Sequence, residues 1–327
     1  MSLEPENKQT DTTQLDLSVV IPVFNGANTV GKVVRSILQS LPRLRLEIVL
    51  VDDGSTDDSA LTCEALVGKH RDQVRYIQLD GNHGEHNAVL AGLHYTSGKW
   101  VAVMDDDGQN TADALAKLYQ HAENTDADVV YGSYHQRKHN WFRKLGSFAA
   151  QQTAQFILKT PREVYLSSFK LMKESLVHNV IHDAPANPYI DGLVFQENPK
   201  WEMIYVEHED RIEGESSYTF RRLVSLWLNI FITADRTQNL SLVKGIRIGS
   251  VLGLAGLAAF WIPWALALAV VFPKTSLGLL LLGAWIYGWC GWGILKLSEK
   301  MDEELSGVEP FTVSKKSGRL PTPPATD

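Results

Sequence analysis

The sequence predicts an α/β fold in which a mostly parallel sheet flanked by helices is followed by amphipathic interface helices and a two-helix transmembrane hairpin. Two observations predict it. Short apolar runs bounded by polar clusters alternate with segments whose apolar residues recur at helical spacing. After Arg247 the chain turns to long stretches without a charge, a change that the mean hydropathy of -0.12 conceals by averaging two unlike parts.

Residues 1–16 are polar and acidic rather than basic then apolar, so they read as a disordered leader and not as a secretory signal. Leu17-Ser18-Val19-Val20-Ile21-Pro22-Val23 and Glu47-Ile48-Val49-Leu50-Val51-Asp52-Asp53 are runs of strand length, suited to a sheet covered on both faces. Between them, 27–40 carries Val30, Val33, Val34, Ile37 and Leu38 at helical spacing, with Leu41 beyond. The order continues with a helix over 57–69, a strand over 74–79 and a helix over 84–97. A strand ending at Asp105, a helix after Thr111 and a strand opening Asp128-Val129-Val130-Tyr131 follow. Such alternation means mostly parallel pairing, with ligands bound at the carboxyl ends of the strands. The polar clusters at 25–26, 52–57, 82–87 and 105–110 all fall at those ends and would converge on one crevice.

Composition narrows the function classes. A formal net charge of -7 and a pI near 5.8 argue against a nucleic-acid binder, whose binding face needs net basic charge. The two cysteines, Cys63 and Cys290, cannot form a disulfide framework and suit a reducing compartment. No glycine-rich phosphate loop of the dinucleotide-binding or Walker kind is present, which weakens dehydrogenase and NTPase readings.

The sharpest local signal is Asp105-Asp106-Asp107 at the end of Val101-Ala102-Val103-Met104. Three carboxylates at a strand tip repel one another, and a divalent cation with hard oxygen ligands relieves that repulsion. A solvated acidic turn ahead of the next helix is the other reading of the triplet taken alone. Asp52-Asp53-Gly54-Ser55 likewise reads as a ligand loop or as ordinary turn chemistry, with Asp57 best placed to cap the following helix.

Together, Ile21-Pro22-Val23-Phe24-Asn25, then Val51-Asp52-Asp53-Gly54-Ser55-Thr56-Asp57, then the acidic triplet about fifty residues further on, resemble the family 2 inverting glycosyltransferases, whose fold is the Rossmann-like GT-A architecture. Three further stretches narrow the likeness: Gly81-Asn82-His83-Gly84-Glu85-His86-Asn87-Ala88 with Ala91-Gly92, Trp141-Phe142-Arg143-Lys144, and Gly214-Glu215-Ser216-Ser217-Tyr218. They resemble the polyprenyl-phosphate glycosyltransferases, the group of dolichyl-phosphate mannose synthase, bactoprenol glucosyltransferase and undecaprenyl-phosphate 4-deoxy-4-formamido-L-arabinose transferase. The resemblance covers roughly 17–295.

It implies a nucleotide-sugar donor, UDP-linked, held by Pro22, Asn25, Asp52 and Asp53. It implies that Asp105 and Asp107 bind Mg2+ or Mn2+ across the donor diphosphate, and it places Gln109 with them in the catalytic set. The acceptor it implies is a polyprenyl phosphate. With a second pKa of about 6 that phosphate is largely ionised at neutral pH, so its oxygen attacks without a general base. The protein then has to supply positive charge and alignment, for which Arg143, Lys144, Lys170, Arg211, Ser216 and Ser217 are the candidates. Three positions depart from the family pattern: Gly26 stands where Glu is usual, Lys170 in Ser168-Phe169-Lys170 where Arg is usual, and Val164, beside Glu163, where Asp is usual.

Basic, aromatic and apolar residues interleave over 141–159 and 219–233, as in helices that lie on a membrane with their cations at lipid phosphates. The 26 uncharged residues of 248–273 and the 21 of 275–295 would span roughly 39 and 31 Å as helices, against a hydrocarbon core of about 30 Å. Only Lys274 separates them, whereas Arg221, Arg222, Arg236, Lys244 and Arg247 precede the pair and Lys296, Lys300, Lys315 and Lys316 follow it. By the positive-inside rule both ends are cytoplasmic.

The plan is a leader over 1–16, a catalytic domain over 17–218, an interface helix and linker over 219–247, a hairpin over 248–295 and a mobile cytoplasmic tail over 296–327. It describes an integral protein of the bacterial inner membrane whose partners are the donor, the polyprenyl phosphate, the bilayer and, as in relatives, further copies of itself. Two rivals stand beside it: a catalytically silent membrane scaffold on the same fold, and a processive polysaccharide synthase, for which further membrane helices and a Q-x-x-R-W string are missing.

Overall fold

The computed structural model describes residues 14–134, 161, 164, 166–185, 188–207, 289, 292–293, 296 and 311–318. In chain order the elements are β1 (Leu15–Val23), α1 (Val30–Ser40), β2 (Leu46–Asp52), α2 (Ser59–Lys69), β3 (Val74–Leu79), α3 (Glu85–Leu93), β4 (Gly98–Val103) and α4 (Ala112–Glu123). They continue with β5 (Val129–Tyr134), β6 (Lys170–Lys173), α5 (Glu174–His182), α6 (Ile190–Gln196), β7 (Trp201–Val206) and β8 (Val313–Ser317). The strands form one sheet in the order β7-β5-β6-β4-β1-β2-β3-β8.

Period-two alternation divides the core into two layers. Leu17, Val19, Ile21 and Val23 of β1 face an apolar cluster with Val30, Val34 and Ile37 of α1 and Leu115 and Leu118 of α4. Val20 faces the other way, into Val89, Leu90 and Leu93 of α3, Leu176 and Val177 of α5, and Ile190 and Leu193 of α6. Each such fully buried side chain contributes about 1.5–3 kcal/mol, which makes the register of β1 costly to slip. The helix after Thr111 starts where its cap dictates: Thr111 Oγ1 accepts the Ala114 amide at 3.0 Å. Helix α3 stops at Leu93, short of the expected 97, where the Tyr95 and Thr96 amides turn to the Gly92 and Leu93 carbonyls at 3.0 and 3.2 Å and the Thr96 hydroxyl adds a bond to the Leu93 carbonyl at 2.8 Å.

The sheet is mixed rather than mostly parallel. β1 pairs in parallel with β2 and β4, as do β2 with β3 and β5 with β7, but β6 is antiparallel to β4 and β5, and β8 is antiparallel to β3. Lys170-Leu171-Met172-Lys173 is too short and too lysine-flanked to read as a central strand. The leader is shorter than expected: Leu15 and Asp16 belong to β1, with Asp16 paired to Arg45 at 2.9 Å. The tail is corrected as well, since 311–318 docks as an edge strand on β3 instead of staying mobile. Its backbone bonds and the packing of Phe311 and Val313 against the second cluster outweigh a polar composition.

The stretches expected at the interface, over 141–159 and 219–247, lie outside the described residues. So does the hairpin over 248–295 apart from Trp289, Trp292 and Gly293, the two indoles standing 5.9 Å apart. Among the described residues no helix is long and apolar enough to cross a membrane.

From β1 the chain winds outward through β2 and β3 and then returns to β4 on the other side of β1. The carboxyl ends of β1 and β4 therefore flank a topological switch point, the place where an open α/β sheet leaves a crevice.

Candidate active site

Four loops meet at that crevice, and side chains rather than regular structure hold them together. Asn25, at φ 56, leaves β1 in the left-handed region that an Asn tolerates. Its amide donates to Ser55 Oγ at 3.0 Å while its Oδ1 accepts the Thr56 amide at 2.9 Å, tying the loop after β1 to the loop after β2. The Gly26 amide donates to Ser59 Oγ at 2.9 Å and the Ala27 amide to Asp57 Oδ2 at 3.2 Å. Asp57 Oδ1 also accepts the Ser59 amide at 3.0 Å, a turn one residue ahead of α2, while Asp58 and not the expected Asp57 stands at the cap position and makes no side-chain cap bond. Burial alone would raise the Asp57 carboxyl; the bonds from Ser59 and Ala27 bring it below its usual range.

The paired aspartates after β2 lie deeper than a ligand contact requires. Asp52 is fully buried and accepts the Ser55 amide at 2.8 Å and the Tyr76 hydroxyl at 3.1 Å. Asp53 is 3% exposed, and its two oxygens accept the His83 amide at 2.7 Å and the Gly84 amide at 2.9 Å, holding the loop after β3. Burial pushes the Asp53 carboxyl above its ordinary value against those two bonds. The intervening turn admits only glycine: Gly54 sits at φ 67, and a Cβ there would stand 2.5 Å from the Gly81 carbonyl carbon.

After β4 the three consecutive carboxylates part company. Asp105 Oδ2 accepts the Ser168 hydroxyl at 2.8 Å and the Asn110 amide nitrogen at 3.4 Å. Asn110 is itself fixed by the Tyr134 hydroxyl. Asp107 Oδ1 accepts the Gln109 amide at 3.0 Å, closing a turn around Gly108 at φ 77. Asp106 turns away, toward Phe24 and Gly26, where an added Cβ on Gly26 would come 2.0 Å from Asp106 Oδ2. That oxygen is buried without a hydrogen-bond partner. Burial first, and then the neighbouring Asp107 and Asp105 charges, push the Asp106 carboxyl up to about 7. Asp105 and Asp107, partly exposed hard-oxygen donors at the crevice, fit a divalent cation whose remaining ligands come from phosphate and water. No cluster of three metal-binding side chains is present among the described residues.

Pro22, Asn25, Asp52, Asp53, Asp105, Asp107 and Gln109 are thus brought to one edge of the sheet. Lys170 is not available there. Its ammonium is paired with Asp191 in the core, with side-chain exposures of 3% and 7%, and lies 5.5 Å from the Tyr131 ring centre. Asp191 also accepts the Tyr131 hydroxyl at 2.9 Å. A cation so enclosed cannot serve an acceptor phosphate, and the expectation for Lys170 is corrected on that ground. Val164 is 1% exposed within the apolar cluster and contributes no polar group. Arg143, Lys144, Arg211, Ser216 and Ser217 lie outside the described residues. Sequence reasoning missed Ser168 as the residue that orients Asp105, although Ser168-Phe169-Lys170 marked the neighbourhood. It also missed Asp106 as the occupant of the space over Gly26, for which no linear signal exists.

A family profile described as "Glycosyl transferase family 2" matches residues 18–181. The chain is 29% identical over 244 residues to an undecaprenyl-phosphate 4-deoxy-4-formamido-L-arabinose transferase of Sodalis glossinidius (strain morsitans), covering 74% of each chain. It is 30% identical to a protein of the same name from Proteus mirabilis (strain HI4320), covering 73% of each. Among solved structures it resembles glucosyl-3-phosphoglycerate synthase from Mycobacterium tuberculosis in complex with phosphoglyceric acid, at TM-score 0.52 and 17% identity, over 69% of this chain and 81% of that one. The same enzyme in complex with Mn2+, uridine diphosphate and phosphoglyceric acid matches at TM-score 0.51 and 16% identity, over 69% and 79%. At these identities the likeness to the solved structures concerns the fold.

Proposed function

The chain belongs to the family 2 glycosyl transferases, and we propose that it transfers a sugar from a nucleotide sugar, UDP-linked, to undecaprenyl phosphate at the cytoplasmic face of a bacterial inner membrane, with inversion at the anomeric carbon. The observation that carries this reading is the placement of Asp105 and Asp107 at the sheet's switch point, in a chain about 30% identical to transferases named for that acceptor. Neither the silent scaffold nor the processive synthase finds support in those relatives.

The donor lies in the crevice between the loops after β1, β2 and β4. Pro22 and Asn25 line its nucleotide side, and Asp52 and Asp53 act mainly by fixing the loops that enclose it. Asp105 and Asp107 hold Mg2+ or Mn2+, which when bound offsets the negative charge that builds on the departing diphosphate oxygen. Ser168 and the Gln109 amide keep those two carboxylates in place without spending them on each other.

The acceptor phosphate oxygen attacks the anomeric carbon on the face opposite the nucleoside diphosphate, forming the new C–O bond as the old one breaks. No proton has to be removed, because the phosphate arrives ionised. Arg143, Lys144, Arg211, Ser216 and Ser217 form the cradle that aligns it. The uncharged runs over 248–273 and 275–295 insert as a hairpin and hold the crevice at the plane where an isoprenoid headgroup lies; further copies associate through the same segment.

The test is to incubate the purified full chain with undecaprenyl phosphate, Mg2+ or Mn2+ and a panel of nucleotide sugars, and to weigh the lipid product. A glycosylated undecaprenyl phosphate from one donor is expected. No product from any donor would leave the proposal without foundation.

A further inference from the structure

Strand β8 comes from the far side of the uncharged runs. Between Val206, the end of β7, and Val313, the start of β8, lies all of 207–312, including both runs. Yet β7 and β8 are the two edge strands of one sheet. Because β7 is parallel to β5, its last residue lies at the carboxyl edge, where Asp105 is. Because β8 is antiparallel to β3, with Val313 opposite Leu79, its first residue lies at that edge too. The chain leaves the sheet and returns to it on the side of the candidate site. Seven strand spacings separate the two points, about 34 Å.

The grip of β8 is more than backbone pairing. The Ser314 hydroxyl donates to the Gln78 and Leu79 carbonyls at 3.0 and 3.2 Å, and the Thr312 carbonyl accepts the Asp80 amide at 3.0 Å. Lys315 pairs with Glu64 of α2, and the Lys316 ammonium stands 4.7 Å over the Tyr95 ring. The Phe311 ring meets His94 edge-on at 5.9 Å. The two ends of the sheet also differ in surface. Phe24 and Tyr205, at the carboxyl ends of β1 and β7, are 39% and 62% exposed, and tyrosine is a residue that membrane interfaces favour. The opposite end carries solvent-facing ion pairs, Arg45 with Asp16, Lys99 with Glu123 and Lys200 with Asp126.

We propose that β8 is a second membrane tether: together with the link leaving β7 it suspends the sheet from both edges, so that the carboxyl edge with its acidic site faces the lipid surface. The proposal rests on the reading of 248–295 as membrane-embedded. It adds a condition of its own, because strands of one sheet lie on one side of the bilayer and the segment between them must cross an even number of times. Two runs meet that condition. A single tether at β7 would leave the sheet free to swing; a second one about 34 Å away removes that freedom.

The experiment uses the full chain in nanodiscs of phosphatidylethanolamine and phosphatidylglycerol with a nickel-chelating lipid as a short-range surface quencher. Cys290 is replaced by Ser, Cys63 being fully buried. One fluorophore is attached at exposed position 58, at the carboxyl edge, or at exposed position 72, at the amino edge (Asp58→Cys, Asp72→Cys). The two edges differ by a strand length, about 20 Å, so quenching at 58 is expected to exceed that at 72 by about threefold or more. Phe311→Asp/Val313→Asp, and the milder Lys316→Pro, should release β8 and reduce that ratio toward one, while circular dichroism confirms that the domain stays folded. Equal quenching in the parent chain, stronger quenching at 72, or an undiminished ratio in both released variants would overturn the proposal. The readout is positional: a chain that shows the contrast but makes no lipid-linked product counts against the transferase reading alone, and a chain that does not enter nanodiscs counts against the membrane reading.

Discussion

Gly26 and Asp106 occupy one space, and replacing the glycine makes that measurable. A Cβ at position 26 would stand 2.0 Å from Asp106 Oδ2 and 3.0 Å from Asp106 Cγ, where ordinary contact begins at 3.4 Å. Gly26→Ala therefore forces the carboxyl back by more than an ångström within a packed site. Overpacking of this kind costs about 1–3 kcal/mol, or a fall in Tm of roughly 2–4 °C per kcal/mol for a domain of this size. Because Asp106 stands between Asp105 and Asp107, its retreat also displaces the pair at the crevice, and a loss of about tenfold to a hundredfold in transfer rate is expected. Asp106→Ala empties the space. In that background Gly26→Ala should cost less than about 0.5 kcal/mol, leaving a coupling energy of about 0.5–3 kcal/mol. Thermal melts and initial rates of the two single variants and the double variant close the cycle. If Gly26→Ala costs as much without the Asp106 carboxyl as with it, the steric argument is wrong.

Three further outcomes follow from the same geometry. Asp107→Ala should abolish formation of the lipid-linked sugar while leaving the melting temperature within a few degrees of the parent; retention of full, Mg2+-dependent activity would remove Asp107 from the site. The Asp106 carboxyl is raised to about 7 from 3.8, so the native state holds its proton more tightly than the unfolded chain, and stability is lost as pH rises between those two values. Asp106→Asn, which imitates the protonated form, should gain Tm relative to the parent on going from pH 5 to pH 8; a difference that does not change with pH refutes the assignment. Lys170→Met strands the Asp191 charge in the core and should destabilise by about 3–5 kcal/mol. Lys170→Met/Asp191→Leu should recover most of that, less about 1 kcal/mol for the unpaired Tyr131 hydroxyl, as read by denaturant or thermal unfolding.

The run of elements from β1 to β5 was legible because each carries its own signal. Val74–Leu79 is marked by Val74, Tyr76, Ile77 and Leu79 between polar flanks, enough for it to be bounded to the residue, and α4 begins where Thr111 caps it. Strand β6 carried no such signal, since four residues flanked by lysines acquire a strand's identity only from the partners on either side. Strand β8 is more polar still, with Ser314, Lys315, Lys316 and Ser317 in sequence, and exists because β3 offers it an unpaired edge. The acidic pair at the crevice was visible because like charges at a strand end are conspicuous in any sequence. Lys170 misled because a lysine near a candidate phosphate site looks solvent-facing until its buried partner Asp191, in the second helix further along the chain, is in view.

Local pattern alone determined the alternation of strand and helix, the edge at which the polar clusters collect and the identity of the acidic residues there, because periodicity and charge are written residue by residue. Tertiary structure alone decided which of three adjacent carboxylates turns inward over Gly26, which lysine is consumed by an ion pair, and that a polar tail closes the far edge of the sheet. Those outcomes depend on the desolvation of one group by another distant in the chain, a quantity that no single stretch of sequence contains.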